Sequence, residues 1–341
     1  MNKNSLAFKL RIFLLLPILF SCSSSTSEYN QDFPTTMKAI ITNKFFYEDI
    51  PSASGIEVIG DSIYIIGDDS PYLYQLNRDF KQTSKLALAD TSGFKSGRVA
   101  KSEKMDLESM ASYERNGKNY LLILGSGASD ARMKGFVIEA DKVTGKLGKP
   151  KSYTLDKLYQ QLQDNKEVVK NDQLNIEGLT VESGNVYLMH RAVKQAPNIL
   201  LEYNAEAFFS ALEMNGDVPE PEVHHFKLEK LEGYQAGFSG ADIFDGKLFF
   251  TASVEQTEDA IADGEVLGSY VGVIYLADLD SNSRKPVASK SALLVYKNNK
   301  PYKGKAESLV VSKDKDKYKV LVVSDDDKGH SELLEVELVI K

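Results

Sequence analysis

Short apolar strands and turn residues alternate along most of the chain, in five segments that share one pattern. Each segment continues from a Ser or Glu through an apolar strand, a tight turn, a second apolar strand, a loop and a third strand. The strands are rich in Val, Ile, Leu, Tyr and Phe, and turn pairs such as Asn116-Gly117 separate them, which is typical of β-hairpins. The five segments start at Ser54, Glu108, Glu177, Ser239 and Glu307.

The spacing inside these segments is regular. Ten positions separate Ser54 from Tyr64, and the segments that start at Glu177 and Ser239 repeat this spacing, with a glycine after the first residue each time. Repeats of about 50 to 70 residues with three or four antiparallel strands are the units of a β-propeller. The sequence therefore predicts an all-β fold, a five-bladed β-propeller over residues 37–341.

The two ends of the predicted propeller complete each other. The fifth segment ends after its third strand, whereas the apolar run MKAIITNKFFYEDI, residues 37–50, precedes the first segment and can supply a fourth. Pairing of these ends closes the ring and removes an exposed sheet edge. Two amphipathic stretches, LDKLYQQLQDN and AEAFFSALE, predict short helical inserts that pack against the blades, and Asn204 is expected to cap the second.

The first 36 residues carry a targeting pattern. Residues 1–21 combine a basic start with the apolar run IFLLLPILF, which is too short to cross a bilayer, and predict a signal peptide. The following LFSC resembles the lipobox of bacterial lipoproteins, so Cys22 is the predicted site of lipidation. Residues 22–36 are polar and predict a flexible tether. We therefore expect a lipid-anchored protein of the cell envelope, at the outer membrane and facing either the periplasm or the surface.

Composition limits the possible partners. The chain has 41 basic and 49 acidic residues, and loss of residues 1–21 removes three basic residues and leaves a formal charge of −11. This charge argues against a nucleic-acid partner. Cys22 is the only cysteine, so the core must be stable without an intramolecular disulfide.

Charged residues recur at both outer ends of the predicted hairpins. In a propeller the first strand of each blade lines the central channel, and the second strand returns to the same end. The five segment-starting residues, Ser54, Glu108, Glu177, Ser239 and Glu307, are therefore expected to converge on the axis. Around them we expect the ends of the second strands, which carry Asp68, Asp69, Ser126, His190, Arg191, Ser253, Glu255, Asp325 and Asp326.

Three glutamates on one axis repel each other unless a cation lies between them. Calcium suits a site of carboxylates, hydroxyls and waters, whereas magnesium prefers a tighter octahedron and zinc prefers nitrogen or sulfur ligands. The five axial residues are thus the predicted Ca²⁺ ligands. The alternative is that these side chains cap backbone groups or hold water in the channel.

The order Ser, Glu, Glu, Ser, Glu resembles the calcium-activated nucleotidase (apyrase) family, a five-bladed propeller with one calcium ligand per blade. The segments SGIEVIGDSIYIIGDDSPYLYQL, VYLMHRA and FSGADIF are similar to that family's blades. The chain departs from it at Asp69, where the family has an Arg, and by having no tryptophan, so two nucleotide-gripping groups are absent. The whole chain also resembles uncharacterised bacterial propeller lipoproteins, which supply a fold without an activity.

Two functions are compatible with these residues. The first is a propeller with a structural calcium ion and a top face that binds a small anionic ligand or a protein partner. The alternative is a calcium-dependent hydrolase of phosphate esters or anhydrides, or of lactones. In that case Asp68 or Glu255 is the predicted general base, and Arg191 with His190 is predicted to stabilise the developing charge.

Overall fold

The computed structural model describes residues 37–92, 94, 97–100, 103–170, 172–192, 197–257, 264–280, 283, 285–315, 317–326 and 328–340. The predicted signal peptide, the tether and Cys22 lie outside the described residues. Among the helices within them, none combines the length and the apolar character that a membrane crossing requires.

The first half of the described chain forms an N-terminal strand followed by two four-stranded antiparallel sheets and a helix. The N-terminal strand is β1 (Met37–Tyr47). The first sheet, blade one, contains β2 (Ala53–Ile59), β3 (Ser62–Gly67), β4 (Tyr72–Leu76) and β5 (Gln82–Ala87). Blade two contains β6 (Leu107–Arg115), β7 (Lys118–Gly125), β8 (Lys134–Ala140) and β9 (Lys151–Thr154), and helix α1 (Asp156–Asp164) follows it.

The second half repeats this arrangement. Blade three contains β10 (Ile176–Glu182), β11 (Asn185–His190), β12 (Asn198–Asn204) and β13 (Glu222–Phe226), with α2 (Ala205–Met214) between the last two. A small hairpin, β14 (Lys230–Leu231) and β15 (Tyr234–Gln235), leads to blade four, which contains β16 (Gly237–Phe244), β17 (Lys247–Glu255), β18 (Val266–Tyr275) and β19 (Lys290–Tyr296). The last strands are β20 (Lys305–Asp314), β21 (Lys317–Asp325) and β22 (Ser331–Ile340).

The N-terminal strand closes the fold. Strand β1 pairs antiparallel with β22 along its whole length, which completes a four-stranded group of β20, β21, β22 and β1, blade five. It also pairs in parallel with β19, so blades four and five share one eight-stranded sheet, a link that the sequence pattern did not predict. The first strands contact one another in the cyclic order β2, β6, β10, β16, β20 and back to β2. The predicted all-β propeller with an N-terminal closing strand is therefore confirmed.

The hydrophobic core lies between neighbouring blades. Successive residues of β3 point to opposite sides, so that Tyr64 and Ile66 pack against blade two and Ile63 and Ile65 pack against blade five. Each pair of adjacent blades shares one such apolar cluster. The two helices add Leu158, Tyr159, Phe208 and Phe209, among others, to the cluster between blades two and three, as predicted. The Asn204 side chain accepts a hydrogen bond from the Ala207 N–H and caps α2.

Candidate functional site

The five predicted axial residues occupy the same structural position in every blade. In each inner hairpin the pairing register shifts by one residue, and the residue left out of the ladder is the predicted one: Ser54, Glu108, Glu177, Ser239 or Glu307. Each is therefore a β-bulge, a device that turns a side chain away from the regular alternation of a strand. The bulges give five equivalent side chains at one end of the inner strands.

Three of these bulges are followed by a glycine because the chain is tightly packed there. A Cβ atom on Gly55 would lie 2.7 Å from Cγ1 of Ile66, and one on Gly178 would lie 2.9 Å from Cβ of Met189. At Gly240 it would lie 2.5 Å from the carbonyl oxygen of Glu307 in the next blade. The glycine in the sequence signature thus reflects close contact around the inner strands.

The two axial serines tie neighbouring blades together. The Ser54 hydroxyl donates a hydrogen bond to the Leu107 carbonyl, and the Ser239 hydroxyl donates one of 2.6 Å to the Ala306 carbonyl. Each acceptor precedes the bulge of the next blade. Because a hydroxyl that donates its proton keeps its lone pairs, both oxygens can still accept from a ligand or coordinate a cation.

On the side of blades three and four, Arg191 joins two carboxylates. Its guanidinium lies 3.2 Å from Oε2 of Glu177 and 2.7 Å from Oε1 of Glu255, and it also donates to the Ser253 hydroxyl at 3.1 Å. Although burial alone would lower the pKa of Arg191, the neighbouring carboxylates raise it. Glu177 and Arg191 lie at the same end of blade three, where the sequence predicted them, and form a buried ion pair that it did not predict.

A lysine that the sequence analysis missed compensates the fifth axial residue. The Lys305 ammonium lies 3.0 Å from Oε1 of Glu307 and 3.6 Å from Oε1 of Glu255. Burial opposes the charge of Lys305, but Glu255 and Glu307 raise its pKa well above the usual value. Burial alone would raise the pKa of Glu255, but Lys305 and Arg191 together lower it. Glu255 is therefore an ionised acceptor between two cations, an unfavourable state for a base.

On the side of blades one and two, Lys104 lies among three aspartates. Its ammonium is 2.5 Å from Oδ2 of Asp68, 2.9 Å from Oδ1 of Asp106 and 3.5 Å from Oδ1 of Asp69. Arg132 pairs with the other Asp106 oxygen at 2.7 Å. Among the described residues, the Asp106 carboxylate thus pairs with two cations and the Asp68 carboxylate with one.

Glu108 differs from the other axial residues because no cation or hydrogen-bond donor of the described chain contacts its carboxylate. Burial raises its pKa well above the usual value, and the charges of Asp106, Asp68, Glu177 and Glu307 raise it further. One ligand atom each from Glu108, Asp68 and Asp106 lies within 4.8 Å of the others. Among the described residues, Glu108 thus has no ion pair of its own, and Lys104, whose pKa its charge helps to raise, compensates it only in part.

Asp68 has the properties of a proton acceptor near neutral pH. Burial raises its pKa to about 6, against the opposing effect of Lys104. Its Oδ1 atom is buried and has no hydrogen-bond partner among the described residues. Of the two predicted bases, Asp68 has the more suitable environment for proton transfer.

The structure does not bring His190 into this cluster. Its Nδ1 atom lies 3.1 Å from both the N and O atoms of Asn175, on the face of β11 opposite to Arg191. Burial lowers the pKa of His190 to about 4, so the imidazole is neutral at physiological pH. The predicted pairing of His190 with Arg191 as a cationic group therefore needs correction, because alternation along the strand separates the two side chains.

Three residues that the sequence analysis missed occupy a second regular position, two residues before the bulge of their blade. Asp106 and Lys305 stand there in blades two and five, and Asn175 donates a 2.6 Å hydrogen bond to Glu177 from the same position in blade three. In blade four the residue is Gly237, where a Cβ would lie 2.6 Å from Cγ of Arg191 and exclude that side chain. The repeat spacing could have identified this position, had it been compared between blades.

The charges of this axial site do not cancel. Among the described residues that take part in the ion pairs of this site, together with Glu108, seven carboxylates face five cations, a formal charge of −2 when every carboxylate is ionised: Asp68, Asp69, Asp106, Glu108, Glu177, Glu255 and Glu307 against Arg98, Lys104, Arg132, Arg191 and Lys305. The free carboxylate oxygens near Glu108 and the serine hydroxyls are hard oxygen donors, which fit calcium better than zinc.

Comparisons with known proteins identify solved structures of similar shape and a matching sequence family. A glutaminyl cyclase from Myxococcus xanthus is 11% identical with a TM-score of 0.46, and the alignment covers 89% of this chain and 98% of that protein. An endo-arabinase from Bacteroides thetaiotaomicron is 12% identical with a TM-score of 0.45, with 85% and 95% covered. Semaphorin 1b from Drosophila is 10% identical with a TM-score of 0.42, with 88% and 80% covered. The search of curated proteins gave no match.

A family model matches the chain over a similar length. A single family model spans residues 49–338 and so includes all five bulges and every residue of the axial site. The chain belongs to this family, which is described as a family of unknown function, DUF6929.

Proposed function

We propose that this protein is a lipid-anchored cell-envelope propeller that binds a calcium ion at the axial site and uses the surrounding face to bind a ligand or partner. The observation that carries the proposal is Glu108, a partly buried carboxylate without an ion pair among the described residues. Its pKa is raised by burial and by four other carboxylates. A cation beside Glu108, Asp68 and Asp106 would relieve this repulsion.

The distribution of cations favours one part of the ring for the ion. Arg191 and Lys305 already neutralise Glu177 and Glu307, so these two carboxylates gain less from a metal than Glu108 does. Calcium accepts an irregular set of carboxylate, hydroxyl and water oxygens, which matches a site with only part of the ring available. We therefore place the ion nearer to blades one and two than the symmetric ring of predicted ligands suggested.

Arg191 and Lys305 give the same face an anion-binding side. Both cations are held by carboxylates, so a small anionic ligand would bind best where the calcium ion adds to their charge. This arrangement supports binding of a small anionic ligand, or of an acidic side chain of a protein partner, at the mouth of the channel. Residues 1–36 would attach the protein to the membrane through lipid on Cys22.

Thermal unfolding of the soluble form starting at Ser23 tests calcium binding. Calcium at 100 times its dissociation constant stabilises a one-site protein by about 2.7 kcal/mol, or about 5 °C for a domain of this size. Glu108→Gln should lose most of this shift, whereas Glu114→Gln, on the exposed end of the same strand, should retain it. An equal shift in both variants, or no shift in the unsubstituted protein relative to a chelator, would refute the proposal.

Asp68 supports a second candidate, a calcium-dependent hydrolase. A buried carboxylate with a pKa of about 6 and an unpartnered oxygen beside a cation cluster suits a general base that activates water. Phosphate esters and anhydrides, as in the calcium-activated nucleotidases that the sequence resembles, and lactones are the substrate classes to test. Turnover that requires calcium and is lost in Asp68→Asn but not in Glu114→Gln would establish this activity, and absence of calcium-dependent turnover on all three classes would exclude it.

A further inference from the structure

A cluster of three possible metal ligands lies far from the axis, on the outer strands of blade three. Glu202 on β12 pairs directly across the sheet with Glu222 on β13, and His224 lies two residues further along β13, on the same face. One ligand atom from each residue lies within 4.8 Å of the others. Two strands thus present one imidazole and two carboxylates to one point.

His224 has the properties of a ligand without an ion. Its side chain is 1% exposed, and neither ring nitrogen has a hydrogen-bond partner among the described residues. The Nε2 atom lies 3.4 Å from Oε2 of Glu202, so the ring points into the cluster. A buried polar group without a partner destabilises the fold, and a metal ion on the imidazole would remove this penalty.

The two glutamates add a second reason for a cation. Glu202 and Glu222 are like charges at directly opposite positions of an antiparallel pair, which is a destabilising arrangement by itself. Glu222 is exposed, so its carboxylate would be solvated and would need no partner if Glu202 were not opposite it. Together with the buried imidazole they form an acidic pair that a divalent ion can neutralise.

Neighbouring side chains hold the Glu202 carboxylate in place. The Asn185 amide donates a 2.5 Å hydrogen bond to Oε1 of Glu202, and the Tyr187 hydroxyl lies 3.2 Å from the same oxygen. Both partners bind Oε1, which leaves Oε2 directed at His224. Outer hydrogen bonds that orient a ligand in this way are typical of metal sites.

We propose that Glu202, Glu222 and His224 form a second metal site, specific for a divalent transition metal, with zinc as the best fit. One imidazole and two carboxylates are common zinc ligands, and the exposed side of Glu222 leaves a fourth position for water. The imidazole makes the site unsuitable for calcium or magnesium, which take oxygen ligands. This site is independent of the proposed axial calcium site, because it shares no residue with it.

Zinc titration of the metal-free soluble protein, followed by calorimetry, tests the site. We expect the unsubstituted protein to bind one zinc ion per chain at this site. Glu222→Gln and His224→Ala should each abolish this binding or weaken the affinity by about 100-fold or more. His225→Ala is the matched control, because His225 is on the opposite face of β13, and it should bind zinc as the unsubstituted protein does. Glu108→Gln should also retain this zinc ion, which separates it from metal at the axis.

Because Glu222 is exposed, the Glu222→Gln variant separates loss of a metal ligand from misfolding of the protein. Replacement of Glu222 removes one of two like charges and should not lower the melting temperature of the metal-free protein, so a loss of zinc binding in Glu222→Gln reports on the ligand itself. Unchanged zinc affinity in both Glu222→Gln and His224→Ala would overturn the proposal. The same conclusion would follow if the unsubstituted protein bound no zinc, or if His225→Ala lost the zinc ion as well.

Discussion

Replacement of Glu57 by Gln should change the pH dependence of folding. Glu57 lies on β2, is 6% exposed, and has its pKa raised to about 8, first by burial and then by the charge of Asp242. Hydrogen bonds from Ser112 act in the opposite direction but do not prevent the shift. Asp242 on β16, which accepts a 2.6 Å hydrogen bond from the Val311 N–H, has its pKa raised by burial to about 7.

The sign and size of the effect follow from linkage. A carboxyl group with a folded pKa of about 8 and an ordinary value of 4.5 keeps its proton in the folded state while the unfolded chain loses it. The free energy of unfolding therefore falls as the pH rises from about 4.5 to about 8. Above about pH 8 the whole contribution of the protonated Glu57 carboxyl is lost. The shift corresponds to roughly 5 kcal/mol at 1.36 kcal/mol per pKa unit. Gln cannot ionise and avoids this loss.

Urea unfolding at pH 5 and at pH 9 measures this effect. The free energy of unfolding of Glu57→Gln, relative to that of the unsubstituted protein, should rise by several kcal/mol from pH 5 to pH 9. Glu114→Gln serves as the control, because its side chain is exposed and should give the same difference at both. If Glu57→Gln changes stability equally at pH 5 and pH 9, the carboxyl is ionised at both values and the reasoning is wrong.

Three further perturbations test the packing and the ion pairs. Gly240→Ala should lower the free energy of unfolding by about 3 kcal/mol in urea titrations, because its Cβ would lie 2.5 Å from the next blade's backbone, and by more than Gly178→Ala, whose Cβ would lie 2.9 Å from a side-chain atom of Met189. Arg191→Met should cost about 3 kcal/mol or more by removing the cation paired with buried Glu177 and one of the two cations beside Glu255, and thermal melting at pH 5 should recover part of it. Deletion of Met37–Tyr47 should expose the edges of β19 and β22 and produce aggregates in size-exclusion chromatography; a monomeric, folded product would contradict the role of this strand in closure.

The architecture could be predicted because its signals are local and periodic. The ten-residue spacing and the turn pairs identify the inner hairpins, and the same spacing identifies the bulge residues Ser54, Glu177 and Ser239 without knowledge of the bulge itself. Glu108 and Glu307 begin hairpins with longer strands and the same two-residue turn, and the structure places them at the same register shift. The closing role of β1 followed from counting strands, since a blade that lacks one strand has an open edge.

The outermost strands could not be predicted in the same way. Strand β5 is almost entirely exposed and strand β9 has four residues, so neither has an apolar alternation that a pattern could detect. Their pairing depends on the edge offered by the preceding strand, which is a tertiary effect. The parallel pairing of β1 with β19 has the same origin, because it joins segments about 250 positions apart in the sequence.

The cations of the axial site were missed for a different reason. A ring of carboxylates suggested that a metal supplies the missing charge, whereas Arg191 and Lys305 supply much of it. Lysines are frequent in this chain, and no local pattern distinguishes Lys104 or Lys305 from a solvated lysine. Only their position relative to the bulge does so: Lys305 precedes it by two residues and Lys104 by four.

The position two residues before the bulge determines how each blade contributes charge to the axis. Lys305 neutralises Glu307, and the absence of a side chain at Gly237 lets Arg191 reach Glu177. In blade two the same position is Asp106, which adds a negative charge beside Glu108 and engages the nearby Lys104 and Arg132. The excess negative charge therefore collects at one sector of an otherwise regular ring. A fold with five equivalent bulges thereby produces an asymmetric site, and this asymmetry, rather than the number of carboxylates, is the physical basis for placing a cation beside Glu108.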